Sequence, residues 1–232
     1  PPGPRQGSAG AVSNNPVMDA QERLNRAAAD YERAVFAGDS DALAAGDREL
    51  DAVEAALVLA RGRLAHARYL WSREEDPDER ALFQRAVDQY AGIGDGRGEG
   101  EALFWLATYH QVVREDQGAA APLLDRAEVL AREAGDRLTL SYVLRHQNFV
   151  AHAAGRPGDA EALLRESTDL RRELGFDAGV AANLIGHAYL AAELGRPDDV
   201  EGHLDEAERL AAGAGAAGVL EWISGARADL TP

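Results

Sequence analysis

Residues 162–175 read ALLRESTDLRRELG, and the pattern returns three more times without a gap: ALFQRAVDQYAGIG at 81–94, PLLDRAEVLAREAG at 122–135 and GHLDEAERLAAGAG at 202–215. The starts are spaced by 41, 40 and 40 residues. Bulky side chains fill the second and third positions of each segment, His203 excepted, and a small one fills the sixth: Ala86, Ala127, Ser167 and Ala207. Apolar residues three and four apart place one stripe along a helix. A small residue within that stripe lets a neighbouring helix approach closely. Each segment ends on Gly, which enters the left-handed turn after a helix without a Cβ clash. A unit of about forty residues that recurs in this way is a helix pair that buries its apolar face only by stacking on its neighbours.

Between these segments the pattern predicts partner helices over 99–114, 137–154 and 178–194, with a last one at 217–230. The turns Gly155-Arg-Pro-Gly-Asp159 and Gly195-Arg-Pro-Asp-Asp199 join the members of a pair, Gly closing one helix and Pro opening the next. Asp95, Asp136 and Asp177 follow the repeat-ending glycines and are placed to cap the following helix. Upstream, 47–74 predicts one long helix, with Gly62 as a candidate kink, paired with 78–92. An earlier helix begins after Asp19 as N-cap, sets Leu24, Ala27, Ala28, Tyr31 and Val35 on one face and stops at Gly38-Asp39. Residues 1–17, rich in Pro, Gly, Ser and Asn, predict a flexible leader ahead of Met18. The expectation is a single helical repeat domain over 18–232, with repeats near 47–95, 99–136, 137–177 and 178–215 and a capping helix at 217–230.

Composition narrows the function classes. Hydrophobic residues are 46% of the chain but aromatics only 6%, a balance that suits close helix packing better than a sheet. The formal charge of −16 and the lack of a basic stripe disfavour direct nucleic-acid binding. All 24 basic residues other than His are Arg, the codon bias of a GC-rich, actinobacterial-like bacterial genome. Absence of Cys removes disulfides, thiol catalysis and thiolate metal sites. No apolar stretch reaches the roughly 20 residues of a membrane span, and no signal pattern opens the chain, so a cytoplasmic location is expected.

With period, turns and caps in hand, the chain resembles the tetratricopeptide repeat superfamily. Ile185-Gly186 followed by Tyr189 matches the Leu-Gly…Tyr of that repeat's first helix, and Ala207 takes the small position of its second. The phrases from Leu170 to Asp177 and from Leu190 to Asp199 are similar to the long-period repeats of bacterial transcriptional activators of the maltose-regulator and antibiotic-regulator kind. The resemblance covers about 47–230. It departs from the basic repeat in its period, 40–41 rather than 34, and in the Gly and Asp that replace the closing Pro. It implies an all-α, right-handed solenoid of antiparallel helix pairs with a concave groove. Armadillo and HEAT repeats share the period. The helix-turn-helix or ATPase partner domains of those regulators are not visible, and no GxxxxGK[ST] loop is present.

In such a solenoid the first helices of successive pairs line the groove. Register then aligns Ala107, Gln147 and His187 in one row and Leu103, Val143 and Asn183 in another, with His110 and Gln111 one turn along. Amides and imidazoles both donate and accept hydrogen bonds, which suits a peptide backbone or a carboxylate. A second feature is the stripe Arg145, Asn148 and His152. Its equivalents are Ile185, Ala188 and Ala192 in the next repeat and Trp105, Thr108 and Val112 in the one before. A guanidinium among packed helices needs a partner. Either Arg145 is paired internally, with Glu166 or Asp169 as candidates, or the interface opens there to an anionic group that fits its planar fork.

Catalytic signals are absent. The six His residues have no HExxH spacing and no accompanying acidic cluster, so no metal site is expected. No GxSxG turn occurs. The glycine-rich 92–98 follows a helix rather than a strand, so it reads as a linker and not a phosphate loop. No cofactor is expected. The expected function is a non-catalytic, regulatory binding or scaffold module holding a peptide or protein in its groove. The alternative is a small-molecule-binding protein or an enzyme of specialised metabolism that uses a polar pocket. Around Trp222, the last helix is either a cap or a homodimer contact.

Overall fold

The computed structural model describes residues 20–230, and among them the chain is all-helical, without a strand. The leader and the Asp19 cap lie outside the described residues. The helices are α1 (Ala20–Ala37), α2 (Asp41–Ser72), α3 (Glu79–Ile93), α4 (Gly96–Thr108), α5 (Gln117–Ala134), α6 (Arg137–Ala153), α7 (Pro157–Glu173), α8 (Asp177–Glu193), α9 (Pro197–Gly213) and α10 (Ala217–Leu230). Contacts divide the chain into two compact units, one up to Leu50 and one from Asp51. In the first, Arg23 Nη1 of α1 bonds Glu49 Oε2 of α2 at 2.8 Å, and Gly46 lies against Ala27 and Asp30. The packing and the site described next lie in the second unit.

From α3 onward each helix packs on the next in sequence. Connections of a few residues force such neighbours to run antiparallel. The stripe read from the sequence is the core. Phe83, Leu124, Leu164 and Leu204 at the third repeat position are buried, as are Ala86, Ala127, Ser167 and Ala207 at the sixth. The repeat-ending glycines Gly94, Gly135, Gly175 and Gly215 all have φ between 65° and 72°, the left-handed conformation that favours glycine. Asp95 and Asp136 cap their helices, accepting from Gly98 N at 3.0 Å and Thr139 N at 3.1 Å. Asp177 does not; it is the first residue of α8, and Phe176 takes the N-cap position.

Two local features were not foreseen. The helix expected over 99–114 is α4 followed by a single π turn, Tyr109–Val113, which swings Gln111 toward α6. Such turns are rare and accommodate a residue inserted into a helix. The turn into α5 then uses Glu115 at φ 53°, where the two later repeats have Gly155 and Gly195 at φ 70°, and Asp116 caps α5 through Ala119 N at 2.9 Å. Gly62 of α2, the candidate kink, is where the Phe83 ring packs so closely that a Cβ would collide with it.

At the far end, α10 buries Ile223 and Ala226 against α8 and α9, as a cap must, and leaves Trp222 57% exposed. No described helix is long and apolar enough to cross a membrane.

Candidate functional site

Position 171 is Arg where the same place in the flanking repeats, Ala131 and Ala211, holds a buried alanine. Arg171 of α7 therefore enters the core, and it is only 2% exposed. Room for it comes from neighbours that are also polar in this repeat alone. Asn183 of α8 replaces Val143 of the preceding repeat, and Ser167 replaces Ala127 and Ala207.

Asn183 is the hub of the cluster and is fully buried. Its Oδ1 accepts from Arg145 Nη1 and from Arg171 Nη1, both at 2.9 Å. Its Nδ2 donates to Ser167 Oγ at 2.8 Å and to Thr168 Oγ1 at 3.2 Å. Arg145 Nη1 also reaches Ala182 O at 2.9 Å, and Arg171 Nη1 reaches Gly179 O at 2.8 Å. Aromatic faces cover the cations: Tyr142 and Phe176 lie 4.7 and 5.6 Å from the Arg171 guanidinium, and Phe149 lies 5.4 Å from that of Arg145. Such contacts favour a desolvated cation. Gly179 lets Phe176 and the Arg171 stem come this close, since a Cβ there would meet the ring.

Among the described residues, no carboxylate closes this cluster. Glu166 and Asp169, the candidate internal partners, bond or approach Arg132 and Arg172 instead. Arg171 Nη2 is buried with no hydrogen-bond partner. Burial pushes the Arg145 guanidinium down to about 10, and burial followed by the charge of Arg145 pushes Arg171 down to about 9. Two positive groups thus share one amide oxygen, an arrangement that an anion would relieve.

The other predicted residues are bonded within the fold. Gln147, expected beside His187, turns instead to α5 and donates to Glu128 Oε2 at 2.8 Å and Asp125 Oδ1 at 3.2 Å. It borders a shallow cavity of about 170 Å³ with Val150, Arg156 and Leu163. Asn148 donates to Ala160 O at 2.8 Å, and exposed His152 meets Glu193 Oε2 at 2.7 Å. His187 meets Thr168 Oγ1 at 3.1 Å. That hydroxyl donates to Leu164 O at 2.7 Å, so the His187 Nε2 carries the hydrogen. Gln111 Nε2 donates to His146 O at 3.1 Å and Gln117 Oε1 at 2.7 Å, and half-buried His110 stands edge-on to Tyr109. Arg145, Asn183 and His187 are therefore brought to one cluster; Gln147, Asn148, His152, His110 and Gln111 are not. Sequence reasoning missed Arg171, Tyr142 and Phe176. The signal was the row Ala131, Arg171, Ala211 in the second helices of the pairs.

Two imidazoles beside the cluster are held neutral. Burial, then the charges of Arg145 and Arg171, pushes His146 from 6.5 down to about 3, and burial with His203 takes His187 down to about 4. His146 Nδ1 donates to Gln111 Oε1 at 2.5 Å. The unfolded chain takes up more protons than the folded one as pH falls below 6.5, so stability present above 6.5 is lost on acidification toward 4. For His146 the loss by pH 4 is on the order of 3 kcal/mol. Urea titrations at pH 7 and 4.5 are expected to show a smaller drop for His146→Gln than for wild type; equal drops would mean that His146 is protonated while folded.

Among the described residues, no group of three or more His, Asp or Glu is placed to hold a metal ion. No protein-family model matches the sequence, and a search of curated proteins returns no match. Fold and site together define an all-helical chain of sequentially packed helix pairs with one buried cationic cluster in its central repeat.

Proposed function

We propose that the chain is a non-catalytic binding module of the tetratricopeptide-like kind, a right-handed solenoid that takes an acidic group of a peptide or protein partner at Arg145. The observation that carries this reading is the pair of guanidiniums, Arg145 and Arg171, that share Asn183 Oδ1 and have no carboxylate of their own. A buried Arg171 beside a part-buried Arg145, with no carboxylate among the described residues, costs folding free energy that an anion would offset. A carboxylate or phosphate oxygen provides the missing charge, and Arg145 provides the fork that reads it. A regulatory role follows only by analogy with the repeat arrays that the sequence resembles.

A second reading, a small acidic metabolite as ligand, is favoured by the aromatic walls. Tyr142, Phe149 and Phe176 around the guanidiniums suit a planar anion as well as a peptide end.

Thermal shift and calorimetry with acidic peptides, inorganic phosphate and small dicarboxylates test both. At a concentration 100 times its Kd, a ligand is expected to stabilise wild type by about 2.7 kcal/mol. Arg145→Gln is expected to lose that gain whatever its own melting temperature. A ligand effect of equal size in the variant, or none from any acidic ligand, would sink the proposal. The chemical class of the ligand separates the two readings.

A further inference from the structure

Leucine recurs every seven residues along α2, at Leu43, Leu50, Leu57 and Leu64, and Trp71 takes the next place. Within the unit that begins at Asp51, Leu57, Leu64 and Trp71 are 50%, 59% and 92% exposed. Ala60 and Ala67, three residues after each leucine, are exposed as well. The same stretch of helix buries Ala55, Val58, Leu59, Ala65 and His66 on its other side, so the exposed strip is not part of the core. An apolar strip of this kind rimmed by charge marks an interaction surface. Its seven-residue period is the one at which two helices stay in register along their length.

Charge selects what covers it. From Ala55 to Arg73 the chain has no acidic residue and four arginines: Arg61, Arg63, Arg68 and Arg73. From Asp41 to Glu54 it has five acidic residues against the single Arg48. Arg61 and Arg68 flank the strip, and neither has an ion pair among the described residues. A helix with halves of opposite sign is complementary to its own reverse.

We infer that this face of α2 pairs with the same face of a second copy of this chain, the two helices running antiparallel. In the register that sets Arg61 opposite Glu54 of the second copy, Leu57 falls over Ala60 and Leu64 over Val53 of that copy, each large residue against a smaller one. A slip by seven residues toward the C-terminus opposes Arg61 to Arg61. A parallel pairing opposes Arg63 to Arg68. Like charges at such flanking positions disfavour both alternatives. Glu54 bonds Arg85 within the chain, but both side chains are about half exposed, so the carboxylate can meet a second cation. The inference is independent of the arginine cluster and of any ligand there.

Sedimentation velocity of the full chain over a concentration series tests it. Wild type is expected to shift from monomer to dimer as concentration rises. Leu57→Glu with Leu64→Glu is expected to stay monomeric with unchanged helical circular dichroism. Arg61→Glu and Glu54→Arg are each expected to weaken association about tenfold or more. An equimolar mixture of those two variants is expected to recover it, since each cation then meets a carboxylate. A wild type that is monomeric throughout overturns the inference. So does a dimer that survives the double leucine substitution, which would move the interface elsewhere, for instance to Trp222. Failure of the mixture to recover overturns the antiparallel register.

Discussion

Asn183→Val is expected to cost about 3–5 kcal/mol, the penalty for leaving buried charge without its partner. The loss would be a large fraction of the 5–15 kcal/mol that holds a typical protein folded. The reason is the number of groups that meet at one side chain. Asn183 accepts from two guanidiniums and donates to two hydroxyls, and all five residues lie in or beside a closed interface between α6, α7 and α8. Valine, the residue of the preceding repeat at Val143, fits the space but satisfies none of them. The same reasoning predicts the opposite sign when the whole cluster is made apolar. Arg145→Ile and Arg171→Met combined with Asn183→Val removes the cations together with their acceptor. Replacing a buried charged cluster by apolar groups of similar volume stabilises proteins by about 1–4 kcal/mol. Urea unfolding of the single and triple variants checks both signs. A single variant that loses less than about 1 kcal/mol would mean that the guanidiniums find water. A stable triple variant that no longer answers to acidic ligands would show that the cluster is kept for binding rather than for stability.

The second large effect is expected at His66→Leu. His66 Nδ1 and Glu79 Oε1 lie 2.8 Å apart across α2 and α3, with His66 5% exposed and Glu79 fully buried. Trp105 closes the site, its ring 5.8 Å from the imidazole and edge-on. The other oxygen, Glu79 Oε2, already has no partner, so among the described residues the imidazole is the only side chain that holds this carboxyl. Removing it leaves both oxygens unsatisfied in an apolar surrounding, at a cost of about 3–5 kcal/mol. Replacing both, as His66→Leu with Glu79→Leu, is expected to recover most of the loss because no polar group then remains. Chemical denaturation of the single and double variants gives the comparison. Equal losses in the two would mean that packing, not the stranded carboxyl, carries the effect.

How much of this was legible varies from residue to residue. The period, the glycine stops and the Asp95 and Asp136 caps are local, since each depends on a few neighbours along the chain. They were readable from type and spacing. The polar stripe at Arg145 was also visible, because aligned repeats supply their own comparison. Its partners were not, since what Arg145 meets depends on how α6 lies against α8. Gln147 and His187 share a repeat position, and each meets the same position of the preceding helix, Glu128 of α5 and Thr168 of α7, rather than each other. Equal register places backbones and these contacts alike; it does not show that the side chains turn onto the preceding helix and not along a groove. The π turn at Tyr109–Val113 left only the one extra residue of the first spacing, 41 against 40, which does not say where in the repeat the insertion sits.

The sequence by itself determined an all-helical chain, the repeat length, the turns and the apolar rows, because helix periodicity and end chemistry act over short distances and recur four times. Only the tertiary structure decided that Arg171 and Arg145 meet at one amide without a carboxylate, and that the leucines of α2 face outward. Both depend on residues far apart in the chain. Their closeness or exposure is set by the packing of whole helices, which a one-dimensional pattern does not contain.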